Sequence, residues 1–484
     1  MFHKDYNYIS YDFMSLDPKL VAKAKELEEL YRTDTQPQRR NKKPYGHAFN
    51  VILTAMEIGD VYDGELIYIS LDKNIFTGQA RRSSTHKPES YRALNWLISK
   101  GYLDIVHGVK RTKPKPGEPS GFTPSAYKLS GKWLSEVSTE PLSSPESIVR
   151  NTDADYVELR KKVRVKNQED PQSRLVKPTE EQLEKHRGMI EASERLLRQY
   201  DELMRSVVIS LGDEPLSPAK TSMTRIFSKA SYELGGRLYC PIQNLKKKQR
   251  PYLRFNGDPT IELDYGSLHP HMLYHREGLE FPEEDPYEIE GFDRDTVKKA
   301  FNTMLNRGGK GVSKSAANSL SESLKIPVKR AKELEKAIQE IHSPIKHYFN
   351  TGVGLKLQRL DSDLAIKIID TFINHWNRPI IGVHDSFICS VRDVGKLWGL
   401  MFQAYDELFN SEESWEKAMS EAGDAESLKG VVGARVIKPT SLDFSDELSE
   451  AITRNALNED DGMDDAFWNN LLTNDAKYLK LQNL

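Results

Sequence analysis

Two aspartates stand where short apolar runs end or break, an unusual place for a charged side chain. Asp264 closes the run Thr-Ile-Glu-Leu-Asp at residues 260–264, and Asp385 interrupts the run at residues 379–388. Alternating apolar residues of this kind are typical of short buried strands. Two carboxylates on such strands suit two Mg²⁺ ions, about 3.5–4 Å apart, that stabilise a phosphoryl transfer. The simpler alternative is that each aspartate caps a turn after its strand, and these two positions alone leave both interpretations open.

The composition requires any nucleic-acid binding to rest on local clusters of charge. The 484 residues exceed the size of most single domains, so two or three domains are predicted. The formal net charge of −3 gives no global basic signal. No apolar run approaches the roughly 18–20 residues of a membrane span, so no membrane partner is predicted. Two cysteines, Cys240 and Cys389, are too few for a disulfide framework, and the predicted location is intracellular and cytoplasmic.

Residues 46–135 have the pattern of one small module. A helix is predicted at residues 88–100, and strands are predicted at residues 102–106 and 126–129. A loop rich in lysine, arginine, proline and glycine lies between the two strands. This order of helix, strand and basic hairpin resembles a winged helix, which implies a DNA partner that takes a helix in one groove and the basic loop on its phosphates. A winged helix that contacts proteins is the alternative.

Four short motifs follow one another in the second half of the chain. They are Gly-Arg-Leu (236–238) with Pro-Ile-Gln-Asn-Leu (241–245) ahead of Asp-Tyr-Gly-Ser (264–267), then Arg-x-x-x-Lys (294–298), Gln-x-x-x-x-Asp-Leu (358–364) and His-Asp-Ser-Phe (384–387). In this order they resemble the palm and fingers motifs A, B and C of the family A DNA polymerases. The resemblance covers roughly residues 219–410. The last motif is closer to motif C of the single-subunit phage-type RNA polymerases, which share the fold.

The resemblance implies a two-metal active site for nucleotidyl transfer. Asp264 in motif A and Asp385 in motif C are the expected catalytic residues and metal ligands, with two Mg²⁺ ions as cofactors and Mn²⁺ as a substitute. Two cations four residues apart share one face of a helix, where they reach the phosphates of a nucleoside triphosphate. The expected nucleotide-binding residues are Arg294, Lys298, Phe301 and Tyr265.

The resemblance also implies DNA primer–template and nucleoside triphosphates as partners. The expected primer–template-binding residues are Arg237, Gln243, Gln358 and His384. The implied fold is an α+β polymerase right hand, in which a palm with an antiparallel sheet is joined by helical fingers and thumb, plus the N-terminal winged-helix domain. Replication or host proteins that bind the winged helix or the acidic tail are further expected partners.

Four departures from the family leave finer points open. The family's tyrosine–glycine pair after the fingers lysine falls on Asn306 and Arg307, and its glutamate that helps to exclude the ribose 2′-hydroxyl falls on His269. The sequence therefore does not decide between dNTPs and rNTPs as substrates. The third acid of motif C is absent, because Ser386 stands in its place. Residues 1–218 contain no set of acids that suits a proofreading exonuclease.

These observations predict six segments. They are an N-terminal extension (1–45), a winged-helix-like DNA-binding domain (46–135), a linker (136–178), a helical thumb-like region (179–218), the polymerase palm and fingers (219–440) and an acidic C-terminal tail (441–484). The thumb-like region is expected to be a pair of helices, and further helices are predicted at residues 328–341 and 395–409.

The predicted function is template-directed nucleotidyl transfer by a DNA polymerase of the family A type that lacks proofreading. Within the same class, a single-subunit RNA polymerase, a primase or a template-independent nucleotidyltransferase is an alternative. From another class, the alternative is a non-catalytic replication initiator that binds DNA through the winged helix. Incorporation of a nucleotide discriminates the enzymes from the initiator.

Overall fold

The computed structural model describes the chain in stretches separated by gaps. The described residues are 11–35, 45–58, 67–69, 85, 87–107, 110–112, 121–123, 125–163, 172–282, 285–308 and 316–409. The predicted acidic tail and the part of the predicted basic loop at residues 113–119 lie outside them. Among the described helices, none combines the length and the apolar character that crossing a membrane requires.

The chain forms two compact units, which we call unit 1 (Met1–Thr224 and Cys240–Lys246) and unit 2 (Arg225–Tyr239 and Lys247–Leu484). The described helices and strands of unit 1 are β1 (Phe13–Ser15), α1 (Pro18–Thr35), α2 (Gly46–Ile58), β2 (Ile67–Tyr68), α3 (Pro88–Ser99), β3 (Leu103–His107), β4 (Lys110–Thr112), β5 (Gly121–Thr123), β6 (Ala126–Leu129), α4 (Gly131–Glu136), β7 (Ile148–Arg150), β8 (Val157–Val163), β9 (Gln172–Leu175), α5 (Glu180–Arg205), β10 (Ile209–Leu211) and β11 (Glu214–Pro215). The six predicted segments remain predictions.

Unit 1 is built around an apolar core that α1, α2 and α3 share. In the antiparallel sheet β2-β6-β3, strands β3 and β6 confirm the strands predicted there, and α3 confirms the predicted helix. The indole of Trp96 packs edge-on against Tyr31 of α1 and Phe49 of α2, with ring centroids 5.7 Å apart in both pairs. Helix α1 belongs to this core although it lies in the predicted N-terminal extension, because its apolar residues recur at helical spacing. The predicted linker likewise contains three strands, β7, β8 and β9.

Helix α5 replaces the predicted pair of helices with one. It runs unbroken for 26 residues from a capping box in which Thr179 and Gln182 each bond the other's backbone N–H. No proline interrupts it, and its buried residues, from Ser193 to Met204, stay on one face. A continuous stripe of this kind favours one long helix over two short ones.

Unit 2 holds all four motifs except residues 241–245, which belong to unit 1. Its described elements are β12 (Thr224–Phe227, whose first residue is assigned to unit 1), β13 (Gly235–Tyr239), β14 (Leu253–Phe255), β15 (Asp258–Asp264), α6 (Leu268–Arg276), α7 (Arg294–Asn306), α8 (Ala316–Leu324), α9 (Val328–Ile341), α10 (Gly354–Asp370), β16 (Ile380–Val383), β17 (Ser386–Ser390) and α11 (Val394–Phe409). Helices α9 and α11 confirm the helices predicted at residues 328–341 and 395–409.

The sheet of unit 2 places the ends of two motifs side by side. Strands β14, β15, β17 and β16 are neighbours in that order, and every pair is antiparallel. Strands β16 and β17 form a hairpin whose turn contains His384 and Asp385. The expectation that each aspartate lies on its own buried strand is therefore wrong for Asp385. The apolar run around it is two strands, and the backbone reverses at this point through His384, which has a left-handed φ of 62°.

Candidate active site

The pairing of β15 with β17 brings the two predicted metal ligands to one edge of the sheet. Asp264, the last residue of β15, is opposite Ser386, the first residue of β17. The backbone N–H of Tyr265 donates to the carbonyl of Asp385 at 3.2 Å. Because paired strands lie about 5 Å apart, the residues next to each partner are close neighbours. Both aspartates are partly exposed. Residues 121 positions apart in sequence are thus adjacent in space, and both residues are partly accessible to solvent.

The donor set at this edge suits a magnesium ion that also binds substrate. Among the described residues, no cluster of three or more histidine, cysteine, aspartate or glutamate side chains could hold a metal alone. Mg²⁺ commonly takes one or two protein carboxylates and completes its shell with water and substrate phosphate oxygens. In the part of the chain that the structure describes, the two aspartates have no third metal ligand beside them. They therefore match a magnesium site that water and substrate complete.

A third acid stands close to the pair but already contacts other side chains. Glu262 lies two residues before Asp264 on β15, and its carboxylate accepts a hydrogen bond from the Ser386 hydroxyl at 2.6 Å. The same carboxylate is 3.1 Å from Nε of Arg250. Ser386 therefore binds an acid from the neighbouring strand. Sequence analysis missed Glu262, although its position on the same face of the strand as Asp264 was a usable signal.

The two predicted phosphate-binding cations gather around Tyr287. Helix α7 begins after Asp293, whose side chain caps the N–H groups of residues 295 and 296. One turn of this helix presents Arg294 and Lys298 at 5.3 Å and 5.8 Å from the centroid of the Tyr287 ring. Arg294 also pairs with Asp285. Both cations remain exposed, so a ligand can reach them.

Tyr287 connects these cations with the aspartate edge. Its side chain is hydrogen-bonded to that of Ser267, which lies three residues after Asp264. Burial raises the pKa of Tyr287, and the negative charge of Asp385 adds to that rise. The tyrosine is therefore within electrostatic reach of the β16–β17 turn. One buried side chain, which the sequence alone did not single out, thus contacts the cations of α7 and Ser267 and feels the charge of Asp385.

Asp361 of α10 holds two residues from different elements. Its carboxylate accepts hydrogen bonds from Nε of Arg237 at 3.0 and 3.2 Å and from Nη2 of the same guanidinium. His269 Nε2 lies 2.9 Å from the same carboxylate. Only 1% of the Asp361 side chain is exposed. Burial raises the pKa of Asp361, but the hydrogen bonds and charges of His269 and Arg237 outweigh it, and the net pKa is below the ordinary value. Asp361 is therefore an ionised, buried anchor.

Two glycines allow β13 to present Arg237 at this anchor. Gly235 and Gly236 have left-handed φ angles of 77° and 81°. A Cβ atom at Gly236 would lie 2.7 Å from the Phe227 ring, so no larger residue fits. The carbonyl of Gly236 accepts a hydrogen bond from Nε of the buried Arg225 at 3.1 Å. The backbone angles and the close approach of Phe227 thus explain why glycines precede Arg237.

The His384 imidazole stands between the aspartate edge and β13. Its ring packs edge-on against Tyr239, with centroids 5.6 Å apart. Burial and the positive charge of Arg237 lower the pKa of His384, while Asp385 and Asp361 act in the opposite direction and only partly offset them. The structure therefore brings His384 and Arg237 into one electrostatic group, and both were predicted to contact the primer–template.

The other predicted site residues are placed less directly. Gln243 lies in the unit 1 segment, where its side chain accepts from the N–H of Cys240 at 3.4 Å. Gln358 is half-buried on α10, one turn before Asp361. No structural observation brings these two glutamines to the aspartate edge.

The two predicted nucleotide-binding aromatic rings fill the core of unit 2. Tyr265 is 1% exposed, and its hydroxyl donates to the Met401 carbonyl at 2.5 Å. Phe301 is fully buried against Tyr287 and its neighbours. In this structure neither ring presents a face to a base. Their predicted contact with the nucleotide would require the core to rearrange.

Comparison with solved structures gives a weak likeness. No protein-family model and no curated protein matches the chain. A solved structure described as the POL domain of Pol1 from M. smegmatis, in complex with DNA primer–template and dNTP, aligns at 14% identity and a TM-score of 0.29. The alignment covers 53% of this chain and 51% of that chain, about half of each. At this TM-score the likeness carries no argument about fold or function.

Proposed function

We propose that this protein is a template-directed nucleotidyltransferase, specifically a DNA polymerase that uses two Mg²⁺ ions. The observation that carries the proposal is the register of β15 and β17, which brings Asp264 and Asp385 to one sheet edge. Together with the oxygens of a nucleoside triphosphate, these carboxylates offer the ligands that Mg²⁺ prefers. When bound, the ions would lower the pKa of the primer 3′-hydroxyl and stabilise the charge of the phosphoryl transition state.

Each remaining side chain has a role that its surroundings support. Arg294 and Lys298 are exposed cations near the aspartate edge, and they bind the β- and γ-phosphates of the incoming nucleotide. Arg237 and His384 contact the terminus of the primer. The bidentate contact with Asp361 uses Nε and Nη2 of Arg237, which leaves its Nη1 edge available to nucleic acid.

The proposal also has parts that do not depend on the aspartate edge. It includes a right-hand arrangement of palm, fingers and thumb, a family A relationship and the absence of proofreading. It also includes the winged helix of unit 1 as a DNA-binding module, supported by the order of α3, β3 and β6 around one antiparallel sheet. Gln243 and Gln358 remain proposed primer–template contacts.

Extension of a labelled primer on a defined template tests this function. Parallel reactions contain Mg²⁺ with dNTPs or with rNTPs, and the Asp264→Ala protein is the control. We expect template-matched dNTP addition that the Asp264→Ala protein has lost. Addition of rNTPs instead would move the proposal to RNA synthesis or priming, an alternative that the His-Asp-Ser-Phe turn favours. If no nucleotide is added but the protein binds duplex DNA tightly, the initiator function replaces this one.

Replacement of Lys298 with alanine is expected to raise the apparent KM for the nucleotide about tenfold or more, with a smaller change in kcat. In the proposed site the ammonium group of Lys298 donates a hydrogen bond to a phosphate of the nucleotide. A hydrogen bond to a charged group contributes about 1.5–3 kcal/mol. Because the alanine variant lacks this bond already in the ground state, the change appears mainly in KM. Steady-state primer extension at varied nucleotide concentration measures the change.

Lys299→Ala is the matched control, because this exposed lysine is next along α7 but about 100° away around the helix. Its KM should stay within about twofold of the parent value. A Lys298→Ala protein with the parent's KM would place Lys298 outside the nucleotide site.

A further inference from the structure

Strand β13 presents an aromatic side chain beside the candidate active site. Tyr239 is 42% exposed, whereas its neighbour Leu238 is 5% exposed and faces the interior. Because side chains alternate along a strand, Arg237 and Tyr239 share one face. An exposed ring on the same strand face as a guanidinium is well suited to contact a nucleotide.

The groups around this ring are held in place before any ligand arrives. Arg237 is fixed by the buried Asp361 carboxylate. His384 is fixed in a tight turn of left-handed backbone, and its ring contacts the Tyr239 ring edge-on. Asp385 is the residue directly after His384. The surface therefore combines an aromatic ring, a guanidinium and an imidazole within reach of one candidate metal ligand.

This combination suits the end of a nucleic-acid strand better than a free nucleoside triphosphate. A triphosphate needs several cations, and the pair that fits it, Arg294 and Lys298, gathers around Tyr287. The Tyr239 surface contains one guanidinium, one imidazole and a ring. One nucleoside and one phosphate match those groups: the ring takes the base or sugar, and the guanidinium takes a polar edge or the phosphate.

We propose that Tyr239 binds the 3′-terminal nucleotide of the primer and positions its 3′-hydroxyl at the Asp264–Asp385 edge. The inference rests on the proposed function, because it assumes that a primer terminus is a substrate. Tyr239 acts as a binding residue and takes no part in proton transfer. Its aromatic ring, and not its hydroxyl, supplies the contact.

Fluorescence of 2-aminopurine tests this binding without requiring any incorporation. One primer–template carries 2-aminopurine as the 3′-terminal base of the primer, and a second carries it in the middle of the duplex. Both are titrated with the parent, Tyr239→Ala, Tyr239→Phe and Tyr252→Ala proteins, without nucleotide. Tyr252 is a matched control because it is also an exposed tyrosine of unit 2, at 60% exposure.

We expect the parent to quench the terminal probe by stacking and Tyr239→Ala to lose that quenching. The Kd of the Tyr239→Ala protein for the primer–template should rise roughly 5- to 100-fold, the range for loss of one aromatic–base contact. Tyr239→Phe and Tyr252→Ala should keep the parent's quenching and affinity. Once the duplex is saturated with protein, the signal of the internal probe should be the same for all four proteins.

The inference is overturned if Tyr239→Ala quenches the terminal probe as the parent does, or if Tyr252→Ala loses quenching equally. It is also overturned if the parent binds the duplex without any change at the terminal probe. Failure of the proposed function looks different: the parent adds neither dNTPs nor rNTPs. Quenching that depends on the Tyr239 ring would then still support a site for a 3′-terminal nucleotide.

Discussion

Replacement of Asp385 with asparagine is expected to lower the rate of primer extension by at least about 10³-fold, with little change in primer–template affinity. A metal ion contributes several kcal/mol of transition-state stabilisation, and a loss of about 4 kcal/mol corresponds to roughly that factor. Asparagine has the size of aspartate but offers Mg²⁺ a neutral and weaker oxygen. The backbone is spared, because the contact with the Tyr265 N–H uses the Asp385 carbonyl and not its side chain.

Single-turnover extension with saturating primer–template and nucleotide measures this loss. Asp258→Asn is the matched control, because Asp258 begins the strand that Asp264 ends. Its surface ion pair with Arg392, at 2.8 Å, contributes at most about 1 kcal/mol. That protein should extend primers at nearly the parent rate. An Asp385→Asn protein as fast as the parent would remove Asp385 from the catalytic site.

The local pattern of the sequence was enough to predict much of the aspartate edge. Alternating apolar residues located β15, and helical spacing located α3, α9 and α11. The hairpin turn at Asp385 was missed for a physical reason. Two-residue turns with left-handed backbone usually carry asparagine or glycine, and here the residues are His384 and Asp385. Nothing in the residue types marked the reversal.

The groups that organise the candidate site were harder to predict, because they come from distant parts of the chain. Arg237, His269 and Asp361 converge from β13, α6 and α10. The sequence did carry one signal: Asp361 lies in the apolar stripe of α10, next to Leu360 and one turn before Ala365. An acid in such a stripe is either unpaired and costly or paired with a cation, but only the tertiary structure identifies the partner. Tyr287 was missed for the same reason, whereas Glu262 did carry a signal in its position on the same face of β15 as Asp264.

Replacement of Asp361 with alanine is expected to lower the free energy of unfolding of unit 2 by about 3–5 kcal/mol. The change leaves the guanidinium of Arg237 and the side chain of His269, which are 19% and 13% exposed, without their shared carboxylate. Removing one partner of a buried ion pair costs more than the pair contributes, since the remaining charge stays desolvated. Urea denaturation followed by tryptophan fluorescence measures the change, because Trp376 and Trp398 report on unit 2.

Asp370→Ala provides the comparison on the same helix. Asp370 is the last residue of α10, and its carboxylate accepts a hydrogen bond from the exposed Asn374 amide at 2.6 Å. Loss of this exposed hydrogen bond should lower the free energy of unfolding by less than about 1 kcal/mol. Asp361→Asn separates the effect of charge from that of shape, because the amide keeps one acceptor for Arg237 but has no negative charge. The free energy of unfolding of this protein should lie between those of the two alanine variants. If Asp361→Ala is as stable as Asp370→Ala, the carboxylate does not anchor the site. Arg237 would then have to be held beside His384 by other contacts.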